Sequence, residues 1–122
     1  MKQTETFVEK LYECNRHKTK LLTTCEKLEK HIPFTAKKYA GINPELSSFI
    51  DQMIFRFSKL QDTMGDKLFP AILELMEEEV KSKPFIDRLN RLEELELISK
   101  NDWLALRKER NEIAHEYSFN QE

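Results

Sequence analysis

Glycine and proline are scarce in this chain, with two and four copies in 122 residues. A β-sandwich or barrel places a turn signal roughly every ten residues, so that scarcity excludes one and leaves an all-α fold. Cysteine is scarce as well. Cys14 and Cys25 stand eleven positions apart on one expected helix, about 16 Å along its axis, which is beyond the reach of a disulfide. Both are expected to be reduced core thiols. His17, His31 and His115 are scattered, and no zinc site can be written from their spacing. The chemistry expected is therefore metal-free and without a cofactor. No run of eighteen apolar residues is present, nor a basic segment leading into an apolar one at the start. Neither membrane spanning nor secretion is expected, and the simplest location is cytoplasmic.

What is abundant is charge. Residues 1–122 are 34% charged and 39% hydrophobic, the composition of one globular helical domain with many surface ion pairs. The net charge of −2 argues against a general nucleic-acid coating protein, but its distribution is uneven. Residues 1–40 hold nine Lys/Arg against five Asp/Glu, a local +4, whereas residues 41–122 hold eleven against seventeen, a local −6. Solvated helix faces account for this, and a basic first helix also suits an anionic ligand.

Apolar spacing predicts the helices. Phe7, Leu11, Cys14, Lys18, Leu21, Cys25, Leu28 and Ile32 repeat at intervals of four and three, the seam of a helix bundle. Pro33 ends that helix, and residues 33–43 read as a loop with Lys37, Lys38 and Gly41. Asn43 caps the second helix and Pro44 suits its first turn. Its seam runs through Leu46, Ile50, Met53, Phe57, Leu60 and Met64, while Phe49, Ile54 and Phe55 widen the apolar surface. That excess over what one neighbour covers predicts a twofold homodimer. Gly65 is expected to break the helix, which restarts near Pro70 and continues to about Val80, with Glu77, Glu78 and Glu79 solvated. Pro84 opens a short helix through Phe85, Ile86, Leu89, Leu92 and Leu95. A capping box from Ser99 to Asp102 starts the last helix near Trp103. The architecture expected is an up-and-down bundle of four main helices, the second broken, with a short extra helix.

The last helix carries the chemistry. At about 100° per residue, with Arg110 at zero, Arg107 falls near 60°, Asn111 near 100° and His115 near 140°, one polar arc that also includes Ala114. Trp103, Leu106, Ile113 and Tyr117 fall between roughly −60° and +20° on that wheel. Arg110 is thus expected in the middle of a buried face, where a guanidinium requires a carboxylate partner or an exit to the edge of the core. Asn111 and His115, four apart, can touch, and such a contact fixes which ring nitrogen carries the proton.

Arg110-Asn111-x-x-x-His115 resembles the R-x4-6-H signature of the HEPN superfamily, and the continuation to Tyr117 resembles the R-N-x-x-x-H-x-Y motif of the HepT toxins. Phe55-Arg-Phe-Ser-Lys-Leu-Gln-Asp62, Gly65-Asp-Lys-Leu-Phe-Pro70 and Asp87-Arg-Leu-Asn-Arg-Leu-Glu93 are also similar to segments of these proteins. The resemblance covers most of residues 45–118, and residues 1–44 are alike only in being a long helix and a loop. It implies a HEPN-like bundle and a metal-independent endoribonuclease. Motif residues of two subunits would share a cleft, and a small nucleotidyltransferase antitoxin would neutralise the toxin. Arg110, Asn111 and His115 carry over as catalytic residues and Tyr117 as the acceptor to which the antitoxin attaches AMP. Arg107, on the same arc, is a candidate for holding substrate.

An imidazole, titrating at about 6.5 in water, can take the proton from a ribose 2′-hydroxyl, which then attacks the adjacent phosphorus. A guanidinium offsets the charge growing on the phosphate oxygens. Asn111 would orient His115 or donate to a phosphate oxygen. Two other readings compete: a non-catalytic accessory subunit that binds a nucleotide or substrate for a minimal nucleotidyltransferase, and a purely structural dimer. Tyr117 also has a packing role open to it, with its hydroxyl at a rim. The RNA target is not legible from the sequence.

Overall fold

The computed structural model describes the backbone of residues 2–31, 41 and 43–120, and the side chains of these except 114 and 116–120. Among the described residues every regular element is helical: α1 (Lys2–Glu29), α2 (Pro44–Thr63), a π-helical turn (Met64–Leu68), α3 (Phe69–Leu75), α4 (Phe85–Glu94) and α5 (Lys100–Asn120). Because α2, the π turn and α3 run on without interruption, these make four helical rods. No helix among the described residues is long and apolar enough to cross a membrane. Ile32, the last residue of the expected first seam, and Pro33, Lys37 and Lys38 of the expected loop lie outside the described residues.

The start of α2 follows its local sequence. Asn43 Oδ1 accepts from the Leu46 N–H at 2.7 Å, with Pro44 in the first turn, where its missing donor costs nothing. The expected break at Gly65 does not occur. The helix widens instead, and the Phe69 N–H reaches back five residues to the Met64 carbonyl. Pro70 supplies the reason. It has no N–H and its ring crowds the carbonyl four residues back, so an α-helical turn there is disfavoured and a wider one is tolerated. Gly65 faces α5 at this point, and a Cβ on it would lie 3.1 Å from the Trp103 ring and 3.4 Å from Arg107 Nη1. The glycine therefore sets how closely α5 approaches α2.

Two helices end in the same way, one of them earlier than expected. The third segment stops at Leu75 rather than near Val80, because Glu77 takes φ 61°. The Glu78 N–H then bonds the Leu73 carbonyl at 2.9 Å and the Glu77 N–H the Glu74 carbonyl at 3.0 Å. Helix α4 ends identically, with Glu96 at φ 61°, Leu97 bonded back to Leu92 and Glu96 to Glu93. This end motif normally uses glycine at the left-handed position, and a chain with two glycines uses glutamate. The turn after Leu75 also corrects the solvated acidic run, since Glu78 receives Arg91 at 2.7 Å while Glu77 and Glu79 stay exposed.

The side of α1 that packs on α2 is rotated from the expected seam. Cys14, Thr24 and Leu28 are buried and Phe7, Lys10, His17 and Leu21 half-buried, whereas Leu11 and Lys18 are exposed. Thr24 fits because its hydroxyl donates to the Lys20 carbonyl at 2.9 Å, and His17 because Arg56 of α2 bonds its ring. Lys18 has no such partner among the described residues, and its charge stays in water. The α2 seam is as expected, from half-buried Leu46 through buried Ile50 to half-buried Met64.

The main core lies where α3, α4 and the start of α5 meet. Phe69, Leu73, Val80, Leu89, Leu92 and Trp103 form one buried cluster. Trp103 sits between two tilted rings, with centroids 5.5 Å from Phe69 and 5.4 Å from Phe85.

Candidate functional site

Helix α5 holds the candidate site, and its start fixes its rotation. The Ser99 hydroxyl accepts from the Asp102 N–H at 3.3 Å and the Ser99 carbonyl from the Trp103 N–H at 3.0 Å. The helix therefore begins at Lys100, three residues before the expected Trp103. The buried stripe runs through Trp103, with Leu104, Arg107 and Arg110 half-buried, while Leu106 is 45% and Ile113 40% exposed. That stripe is turned from the expected one toward the polar arc. Trp103 decides it, because the largest apolar side chain of the helix seats between Phe69 and Phe85, and Leu106 and Ile113 then point away.

Arg107 is carried along by this rotation. Its guanidinium lies over Phe85 at 5.0 Å and Trp103 at 5.3 Å, contacts that use the flat face of the cation and leave its edge N–H groups free to donate. Arg110 reaches across to α2, where its Nη2 donates to Asp62 Oδ2 at 2.9 Å. Its Nη1 donates to Asn111 Oδ1 at 2.9 Å. A guanidinium has five N–H donors, so both η nitrogens keep a second one. Arg110 Nε is buried with no partner among the described residues.

These contacts correct two expectations. Arg110 is not centred in an apolar face but lies at the edge of one, paired within its own chain. Asn111 accepts from Arg110 through its carbonyl oxygen, and no bond from Asn111 to His115 is present among the described residues. Asn111 and His115 are both exposed and line a shallow groove of about 460 Å³ with Leu104, Arg107, Lys108 and Glu112. The structure thus brings Arg107, Asn111 and His115 to one groove and places Arg110 on the adjoining flank. Tyr117 belongs to α5, and its side chain lies outside the described residues.

Asp62 was missed as a site residue by the sequence reading. The signal for it was the expectation that Arg110 needs a carboxylate: Asp62 lies three residues before Gly65, the glycine against which α5 packs. Elsewhere, burial and then neighbouring Glu13 push the Cys14 thiol up to about 11, which keeps it protonated and unreactive as a nucleophile. Both cysteines are free. Among the described residues no three His, Cys, Asp or Glu side chains gather where they would hold a metal ion.

Comparison with known proteins returns nothing: no family model, no curated protein and no solved structure matches this chain.

Proposed function

We propose that this chain is a metal-independent endoribonuclease of HEPN-like, up-and-down helical architecture, the toxin of a toxin-antitoxin pair whose antitoxin is a small nucleotidyltransferase. The observation that carries this reading is the division of labour along α5. Asn111 and His115 are open to a groove that Arg107 borders, Arg110 is clamped by Asp62 with donors to spare, and Leu106 and Ile113 are uncovered on the opposite flank. Apolar side chains left exposed favour a second copy of this chain, and in the proposed twofold dimer the two polar arcs face one cleft.

In that cleft His115 takes the ribose 2′-hydroxyl proton as the oxygen attacks phosphorus, and its copy across the twofold protonates the departing 5′-oxygen. Arg110 and Arg107 offset the charge developing on the non-bridging oxygens. The products are a 2′,3′-cyclic phosphate and a 5′-hydroxyl. Tyr117 is the proposed acceptor for AMP from the antitoxin. Added phosphate beside the arginines would compete with RNA.

The divergence of Arg110 and His115, about 140° apart on the helix wheel, favours a second reading. A single copy does not present both to one phosphate, which suits an accessory subunit that clamps a nucleotide without cutting it. Cleavage of mixed cellular RNA in excess EDTA separates the two. The ribonuclease reading expects products with cyclic phosphate ends from the wild type and none from His115→Ala, with both proteins folded. A folded, dimeric and, by intact mass, unmodified wild type that leaves RNA whole would overturn it.

A further inference from the structure

Outside the α5 groove, one part of the surface combines unpaired cations with an exposed aromatic ring. Phe55 of α2 is 50% exposed, and two cations lie against it, Arg56 at 5.3 Å and Lys59 at 5.7 Å from the ring centre. Arg56 continues the cluster onto α1 through its Nη1, which donates to His17 Nδ1 at 3.0 Å. Because a guanidinium is always protonated, that ring nitrogen is an acceptor, so His17 is held in its neutral form. Its pKa is lowered by burial and by Arg56, with Arg16 and Lys59 pushing the same way and Glu13 opposing.

Among the described residues, Arg16, Arg56 and Lys59 have no carboxylate partner within salt-bridge distance, and Glu13 is itself shared with Lys67 at 3.4 Å. Asp51, one turn before Phe55, is too little to balance them. Three cations near one shared and one further carboxylate leave a net positive field that a polyanion relieves.

The direction of this surface matters. Phe55 and Asp62 are seven residues apart, hence on the same side of α2 and about 10 Å apart along its axis, and Asp62 is the residue that holds Arg110. The ring therefore lies two helical turns from the candidate catalytic guanidinium. We propose that Phe55, Arg56, Lys59 and Arg16 form a platform for single-stranded RNA, on which a base stacks against Phe55 while the cations contact flanking phosphates. Stacking on an aromatic face beside cations tolerates any base and demands an unpaired strand. A second copy of this chain is the competing occupant of an exposed ring, and the cationic rim argues against it, since twofold packing would bring like charges together.

This inference rests on the ribonuclease reading only for why the strand would be RNA, and its test uses a probe that cannot be cut. A fluorescein-labelled 2′-O-methyl oligouridine twelve-mer is titrated with purified protein, and anisotropy is followed at several salt concentrations. Phe55→Ala is expected to weaken binding roughly tenfold, and Phe55→Trp to retain it. Lys59→Gln and Arg16→Gln, both at exposed positions, should each flatten the slope of log affinity against log salt by about 0.7.

Binding by Phe55→Ala within twofold of wild type would overturn the proposal. So would dissociation of a dimer by Phe55→Ala with affinity per protomer retained, since the ring would then meet a second copy. A protein that binds the probe with these dependences but leaves RNA intact in EDTA would remove the nuclease reading and leave the platform standing. Cleavage without Phe55 dependence would do the reverse.

Discussion

Trp103 and His115 stand on one helix, about 18 Å apart along its axis, and the molecule treats the two ends of that helix in opposite ways. At the Trp103 end, α5 is enclosed by Phe69, Phe85 and the bare backbone of Gly65. At the other end Asn111, Glu112, Ile113 and His115 are all exposed. One end is anchored by burial and the other is held out as surface. Arg107 and Arg110 mark the passage between them: the first is stacked on the core rings, the second tied to α2 by a single ion pair. Rigid anchoring next to an open polar arc is the arrangement expected when a scaffold presents reactive groups rather than burying them.

The sharpest way to break this contrast is to exchange the effects of its two ends. Trp103→Ala should cost about 3–5 kcal/mol, a large part of what a domain of this size possesses, and urea denaturation followed by circular dichroism will report it. His115→Ala should leave the denaturation midpoint within about 0.5 kcal/mol of wild type while lowering RNA cleavage by at least ~100-fold. If His115→Ala unfolded the chain, the exposed end would be structural and the comparison would collapse.

A smaller effect separates the two helix ends that glutamate closes. A left-handed non-glycine residue costs about 1–2 kcal/mol, partly offset for glycine by its freedom in the unfolded chain. Glu77→Gly and Glu96→Gly should therefore each raise stability by roughly 0.5–1 kcal/mol, measured as a rise in Tm. A loss in either variant would show that the glutamate side chain contributes more than its backbone strain removes.

The smallest effect is a dependence on pH from the basic side of the molecule. The pKa of His17 lies below its ordinary 6.5 in the folded chain, through burial first and then Arg56. The unfolded chain therefore binds the proton more readily. The contribution of this histidine is fully present above about 6.5 and is lost as pH falls through the lowered folded value. Arg16, Arg56 and Lys59 all oppose its protonation, and Glu13 alone favours it. Thermal melts from pH 7.5 down to 5 should show a decline in Tm that His17→Gln reduces. An identical decline in both proteins would assign it to other groups.

Much of the helical framework was legible because its signals are local. Asn43 and Pro44 start α2 through their own backbone and side-chain chemistry, Pro84 precedes α4, and the α2 seam repeats over enough turns to fix its buried side. The π turn at Gly65 was not legible, because whether proline ends a helix or widens it depends on what packs beside it. Nor was the end of α3 at Leu75, since no glycine marks it. The seam of α1 was misread at Lys18 because His17 becomes an acceptable interface residue only when Arg56 lies opposite.

The candidate site divides in the same way. Spacing alone places Arg107, Asn111 and His115 on one arc of a helix and separates them from Leu106 and Ile113, because side-chain direction follows from the helical period. Which arc faces inward is a competition between Trp103, Leu106 and Ile113 for the space left by other helices, and no local pattern states its outcome. The partner of Arg110 depends on the register between α2 and α5, which Gly65 allows and Trp103 sets. Local pattern is enough for most of the helical framework and for the order of functional groups along α5. The rotation of that helix and the pairing of Arg110 with Asp62 are settled by packing, because both arise from contacts between residues distant in the chain.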